Sequence, residues 1–158
     1  MTQDVFLSID GISGESQDAD HMGEMEVTSW HWKIHQHSNL LAGPGGGAPR
    51  ASVEDLVILH QIDRSSPNLM TYCLNGRRIA QAVLTMRKAG GAPLDFYRIT
   101  MDNVMITTVE PSGSAGGFYE QISLSFSKIR QEYILQNKLG GSAGMVTGAF
   151  DIRKNMQA

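Results

Sequence analysis

The chain of 158 residues has a single cysteine, Cys73. An internal disulfide is therefore excluded, and the fold must hold without covalent staples in any redox compartment. Positive charge is also not in excess: 13 Lys and Arg against 16 Asp and Glu give a formal net charge of -3. The cations are scattered apart from the pairs Arg77-Arg78 and Arg87-Lys88. Such a chain presents no basic field to phosphates, so nucleic acid is not an expected partner. No window approaches the ~20 apolar residues of a membrane span, so membrane insertion is not expected either. The start, "MTQDVFLSIDGISGESQD", has neither the basic opening nor the apolar run of a secretory signal. The expectation is a soluble product of the cytoplasm, exported, if at all, without a cleaved signal.

Catalytic signatures are missing too. "GISGES" is not a G-x-S-x-G elbow, and "GSAGG" and "GGSAG" lack the Lys-Ser/Thr pair that makes a glycine-rich turn a phosphate loop. Asp18, Asp20, Glu24 and Glu26 read as a solvated loop and strand edge. No catalytic residue and no cofactor is expected.

What remains is ordinary globular material, 41% hydrophobic and 18% charged, enough for one domain spanning residues 1–158. Apolar residues recur with period two. Val5, Leu7 and Ile9 share a face, as do Leu56, Ile58 and Ile62, and as do Ala80, Ala82, Leu84 and Met86. Ile122, Leu124 and Phe126 alternate with Ser123, Ser125 and Ser127. The parity slips between Val27 and Trp30, and again where Phe126 gives way to Ile129, Gln131 and Tyr133, as at bulges or barrel corners. Glycine turns at residues 11–14, 43–47, 90–91, 113–117 and 140–141 punctuate these strands. The pattern predicts a mainly β fold, a barrel or sandwich.

One short helix is predicted at about Ser66 to Asn75. Ser65 or Ser66 would be its N-cap, Pro67 would open it and Gly76 would end it, with Leu69, Met70, Cys73 and Leu74 as its apolar stripe. Residues 38–52, "SNLLAGPGGGAPRAS", are the strongest loop signal.

Residues 30–37, "WHWKIHQH", read as one strand. Trp30, Trp32 and Ile34 form its dry side, and His31, Lys33, His35 and His37 its wet side. His35 and His37 are spaced as two metal ligands on one strand face, but Lys33 shares that face and no acid or cysteine lies near in sequence. No metal is expected, with His35 and His37 as the only candidates. A small β-barrel hydrolase or metal-binding protein built on this pair is the alternative of a different class.

Several stretches resemble the haemolysin-coregulated protein (Hcp) family of type VI secretion. They are "FLSIDGISGES", "VTSWHW", "VEDLVILHQIDRSSPNLM", "AVLTMRKAGG", "ITMDNVMITTV" and "FDIRKNMQA", in order along nearly the whole chain. The resemblance implies a compact two-sheet β-barrel with one helix beside it and an extended glycine-rich loop. It also implies a non-enzymatic tube subunit forming hexameric rings that stack into a hollow tube. That tube sits inside a contractile sheath behind a puncturing tip, with small effector proteins in its bore, and is exported from the bacterial cytoplasm. A phage tail-tube subunit is the nearest alternative.

On this resemblance Leu40, Leu41, Gly43, Pro44, Gly45, Gly46, Gly47, Pro49 and Arg50 form the arm that reaches an adjacent subunit or ring. Ser123, Ser125 and Ser127 are the candidates for the bore. The chain ends soon after the last matching stretch, which leaves no room for an added effector domain. Where relatives carry smaller residues, the histidines of "WHWKIHQH" would make assembly sensitive to pH.

Overall fold

Segments in which apolar residues recur at every second position form antiparallel strands. The structure, a computed structural model, describes residues 3–38, 51–88, 93–139 and 141–158. In chain order these are β1 (Gln3–Ile9), β2 (Met25–Glu26), β3 (Ser29–His31), β4 (Ile34–His35), β5 (Ser52–Val53), β6 (Leu56–Gln61), α1 (Ser66–Asn75), β7 (Ile79–Lys88), β8 (Leu94–Ser114), β9 (Gly117–Ser125), β10 (Lys128–Gln136), β11 (Ser142–Asp151) and β12 (Met156–Gln157). The fold is mainly β with one short helix, as the sequence implies.

β8 belongs to both sheets. Its first half pairs with β7 on one side and β10 on the other, and its second half pairs with β9. β9 and β10 are separated only by Phe126 and Ser127. The two together face β8 in one antiparallel register that slips once, around Thr107. The bend lies at Asn103, whose φ of 55° is a left-handed conformation that asparagine adopts more readily than most residues. Across it Ser127 N donates to Asp102 O at 3.1 Å.

One sheet runs β12-β11-β10-β8-β7-β1-β2, and β9, β6 and β3 continue from β8 as the second. The chain between β2 and β3 joins their far edges: Val27 N donates to Val5 O at 2.9 Å and Thr28 N to Leu59 O at 2.8 Å. β8 is one corner of a two-sheet barrel and this crossing is the other. Leu7, Leu56, Ile58, Leu84, Ile99, Met101, Ile122 and Leu124 fill it, each fully buried and each contributing about 1.5–3 kcal/mol.

The helix has the predicted bounds and ends in Gly76, at φ 58°. Ser65 holds the N-cap position, as expected, but its side chain makes no capping hydrogen bond; the Asp63 carboxylate instead accepts from Ser65 N and Ser65 Oγ in the turn that leads into the helix. The stripe differs from expectation. Leu69, Tyr72 and Cys73 face the core, while Met70 and Leu74 are 51% and 77% exposed. The barrel surface runs along the i, i+3, i+4 row from Leu69, one step around from the predicted stripe.

Other faces shift as well. β6 ends before Ile62, which is exposed, and its inward position belongs to His60. Ala80 is exposed and Ile79 buried at the start of β7. On β10, Ile129 is buried as expected, but the wall closes over Glu132 and leaves Tyr133 exposed. Residues 30–37 are not one strand: β3 and β4 are interrupted at Trp32 and Lys33, where Trp32 Nε1 donates to Glu54 O at 2.8 Å. Trp30 and Trp32 pack on the core, whereas Ile34, past the break, is 56% exposed. The arm residues Leu40, Leu41, Gly43, Pro44, Gly45, Gly46, Gly47, Pro49 and Arg50 lie outside the described residues.

His60 and Glu120 are directly opposite on β6 and β9, fully or almost fully buried, with Nε2 2.9 Å from Oε1. Ser66 Oγ donates to the same oxygen at 3.1 Å, tying the first residue of α1 to the sheet. Glu120→Leu strips both donors of their acceptor and is expected to destabilise by about 1–3 kcal/mol. The His60→Leu/Glu120→Leu double should recover much of that in urea midpoints. Strictly additive losses would show that the pair is not coupled.

Candidate functional site

β7, β8, β10 and β11 form a wall with two unlike faces. On the outer face the strand registers align whole rows. Gln81 lies opposite Asp102, Asp102 opposite Lys128, and Lys128 opposite Asp151. Gln81 Nε2 donates to Asp102 Oδ1 at 3.1 Å, and Lys128 Nζ is 3.9 Å from Asp151 Oδ2. Further along, Thr85, Arg98, Glu132 and Thr147 make a second row. Glu132 takes Arg98 at 3.4 Å and its strand neighbour Arg130 at 2.9 Å. Three carboxylates, Asp102, Glu132 and Asp151, thus balance Lys128, Arg98 and Arg130.

The inner face is apolar and outruns the barrel. Met101, Ile129 and Phe150 are successive partners under cover. Continuing along the same face, Tyr97, Tyr133 and Val146 are also partners, with Leu135 beyond. Tyr133, Leu135 and Val146 are 43%, 45% and 62% exposed. A second apolar patch, Met70 and Leu74, is on the outer face of α1, which packs near the middle of β8. Tyr97 and Met105 lie on opposite sides of the β8 bend at Asn103, so the two regions belong to different ends of that strand. Beyond β11, residues 142–149 have no further strand among the described residues, and neither does the free side of β8 along residues 107–114.

The sequence candidates are distributed differently. His31, His35 and His37 are all exposed. His35 and His37 meet edge to face at 5.1 Å between ring centres. Among the described residues no group of three or more His, Cys, Asp or Glu gathers to hold a metal. Ser123 is buried between β6 and β8, while Ser125 and Ser127 are half-buried at the bend. Cys73 is half-buried against the core.

Residues 10–24 hold a cluster that sequence reasoning missed. Asp18 and Glu24 are not free solvated acids. Arg87 reaches both Asp18 oxygens, at 2.7 and 2.5 Å, and Asp4 at 3.1 Å. The Arg87 guanidinium holds the Asp18 carboxyl down at about 2. His21 is buried and stacks on Phe6 at 4.3 Å, with Nδ1 2.8 Å from Glu24 and Nε2 3.1 Å from Asp95. Burial pushes the His21 imidazole down, but hydrogen bonds to Asp95 and Glu24 outweigh it, and its pKa is raised. Gly14 permits the loop's close return, because a Cβ there would come within 2.6 Å of the Glu24 carbonyl oxygen. Asp95 lies 74 residues from His21 in sequence, so no local pattern announces the pair.

Comparison with known proteins places this architecture. The family model for the type VI secretion system effector Hcp matches residues 6–133. The protein hcp1 of Pseudomonas aeruginosa is similar at 37% identity, with the whole of both chains covered. The crystal structure of Hcp1 from Salmonella typhimurium superposes with a TM-score of 0.84 at 42% identity over 100% of both chains. That of a type VI secretion system effector from Yersinia pestis superposes at 0.78 with 37% identity, covering 94% of this chain and 99% of that one.

Because the folded pKa of His21 is raised, its contribution to stability is fully present below the unfolded value near 6.5 and is lost as pH rises through the folded value. The stability difference between wild type and His21→Gln should therefore be larger at about pH 5.5 than at about pH 8.5 by chemical denaturation. A difference independent of pH would exclude the linkage.

Proposed function

The chain belongs to the Hcp family of type VI secretion proteins, and on that footing we propose that it is a structural, secreted tube subunit with no enzymatic role. In this reading subunits close into hexameric rings, and rings stack into a hollow tube held within the sheath behind the tip proteins. Small effector proteins travel in the bore. The subunit is made in the bacterial cytoplasm and leaves through the type VI system without a cleaved signal; among the described residues no helix is long and apolar enough to cross a membrane.

The observation that carries the proposal is the uncovered continuation of the core face at Tyr133, Leu135 and Val146, far from a second apolar patch at Met70 and Leu74. Exposed apolar surface of this kind marks an interface. Two unlike patches joined head to tail propagate beyond a dimer and close into a ring when the rotation between subunits allows, whereas a two-fold dimer would match one patch with itself. The free edges of β11 and β8 are covered in the same closure, which removes an aggregation hazard.

The charge-balanced outer rows of β7, β8, β10 and β11 suit the bore, since a wall that satisfies its own charges has little hold on passing cargo. On this view the bore is lined by Arg98, Asp102, Lys128 and Arg130. Ser125 and Ser127 stand at its margin, and Ser123, buried within the second sheet, is away from it. Leu40, Leu41 and the glycines after them would reach the adjacent subunit or ring.

Light scattering on a sizing column, followed by negative-stain imaging, is expected to give a six-fold ring with an open centre. Val146→Glu or Leu135→Lys should reduce it to monomer while changing the urea midpoint little, because both side chains are already exposed. A wild-type monomer, or rings indifferent to both substitutions, would reject the assembly.

A further inference from the structure

At the end of the barrel where β7 begins, a hollow of about 300 Å³ is lined by Arg78, Asn103, Ser125, Phe126, Ser127 and Arg153. No carboxylate is among these residues. Arg78 and Arg153 are both exposed, and neither has an ion-pair partner among the described residues. Arg77 and Lys154 extend the positive surface beside them. Of the acids at the neighbouring strand ends, Asp102 is held by Gln81 and Asp151 by Lys128 and Lys154 N, while Asp10, just past β1, is exposed. Two free guanidiniums flanked by an amide and two hydroxyls form a carboxylate-recognition surface.

The matching surface is on the same molecule. Arg87, nine residues along β7 from Arg78, lies about 30 Å away at strand rise. There an open cleft of about 550 Å³ is lined by five carboxylates, Asp4, Glu15, Asp18, Glu26 and Asp63, and, among the described residues, by one cation, Arg87. Arg87 takes Asp4 and Asp18, which leaves Glu15 and Glu26 exposed and without ion-pair partners among the described residues. Each subunit therefore carries a basic pole and an acidic pole at opposite strand ends.

We propose that the Arg78–Arg153 hollow of one subunit seats the Glu15 and Glu26 carboxylates of a second copy in the next ring, so that rings stack with one polarity. The inference rests on the tube reading, in which β7, β8, β10 and β11 form the bore wall and their ends are the faces of the ring. Like poles repel and unlike poles attract, so a surface of this kind selects orientation more strongly than it adds affinity. Because both partners lie at a rim, stacking weakens with salt.

The test uses Ser127→Cys in the hollow and Gln17→Cys in the cleft, each in a Cys73→Ser background, prepared as separate rings and oxidised alone or mixed. Intersubunit disulfides are expected in the mixture and not in either preparation alone. Adding Arg78→Glu and Arg153→Glu to the Ser127→Cys rings should cut the cross-linked fraction about tenfold or more, with ring mass unchanged, and Glu15→Arg with Glu26→Arg on the other rings should restore it. Disulfides in a single preparation, a mixture insensitive to charge reversal, or intact rings that never cross-link would each overturn the proposal. Loss of the ring mass itself in the parent protein would instead count against the tube reading.

Discussion

The antiparallel run of β8 against β9 and β10 determines where nearly every other element can lie. Because side chains alternate across a strand, one register decides which residues face inward on both sheets at once, and a slip of one residue would exchange the core for the surface. The single slip near Thr107 and the left-handed Asn103 let the run turn the barrel corner without losing that alternation. β7 and β6 then attach to its two sides, β1 and β3 attach to them, and the circuit meets at Val27 and Thr28.

The same run also extends past what the barrel can cover. Where β10 and β11 leave the barrel, the inner face keeps Tyr133, Leu135 and Val146, while the outer face passes from the paired charges at Glu132 to Ile134 opposite Met145. A free monomer has little use for such a sheet. In the proposed assembly one face would meet a neighbour and the other would line a wet channel. The poles at the strand ends would add a third direction of contact, set by charge rather than by apolar area.

Much of this was legible in the chain. Ile122, Leu124 and Phe126 have the inward positions their alternation implies, and the bounds of α1 follow from Pro67 and Gly76. Period and punctuation are local, and local rules read them. What was misread depends on distant partners. His60 was passed over because a histidine on an apolar face makes sense only once Glu120, 60 residues away, is opposite it. Met70 and Leu74 fit the helical period, but the surface beneath α1 selects Tyr72 instead. His21 and Asp18 were hidden for the same reason, since Asp95 and Arg87 reach them across the fold. The wall charges at Asp102, Lys128 and Asp151 become a row only when two registers are known.

The connectivity also dictates an order of events. β7, β8, β9, β10 and β11 are laid down one after another, each beside its predecessor or the strand before it. β1 must wait for β7, Gln3 pairing with Lys88, and β6 must wait for β9. Before then the described residues up to Gln61 have only two- and three-residue ladders, β1 with β2, β3 with β6 and β4 with β5. Pairing across such separations is slow, because the loop must close before the contact is made. The portion that leaves the ribosome first is therefore the portion that settles last, and the meander formed by the later strands is the template on which it closes.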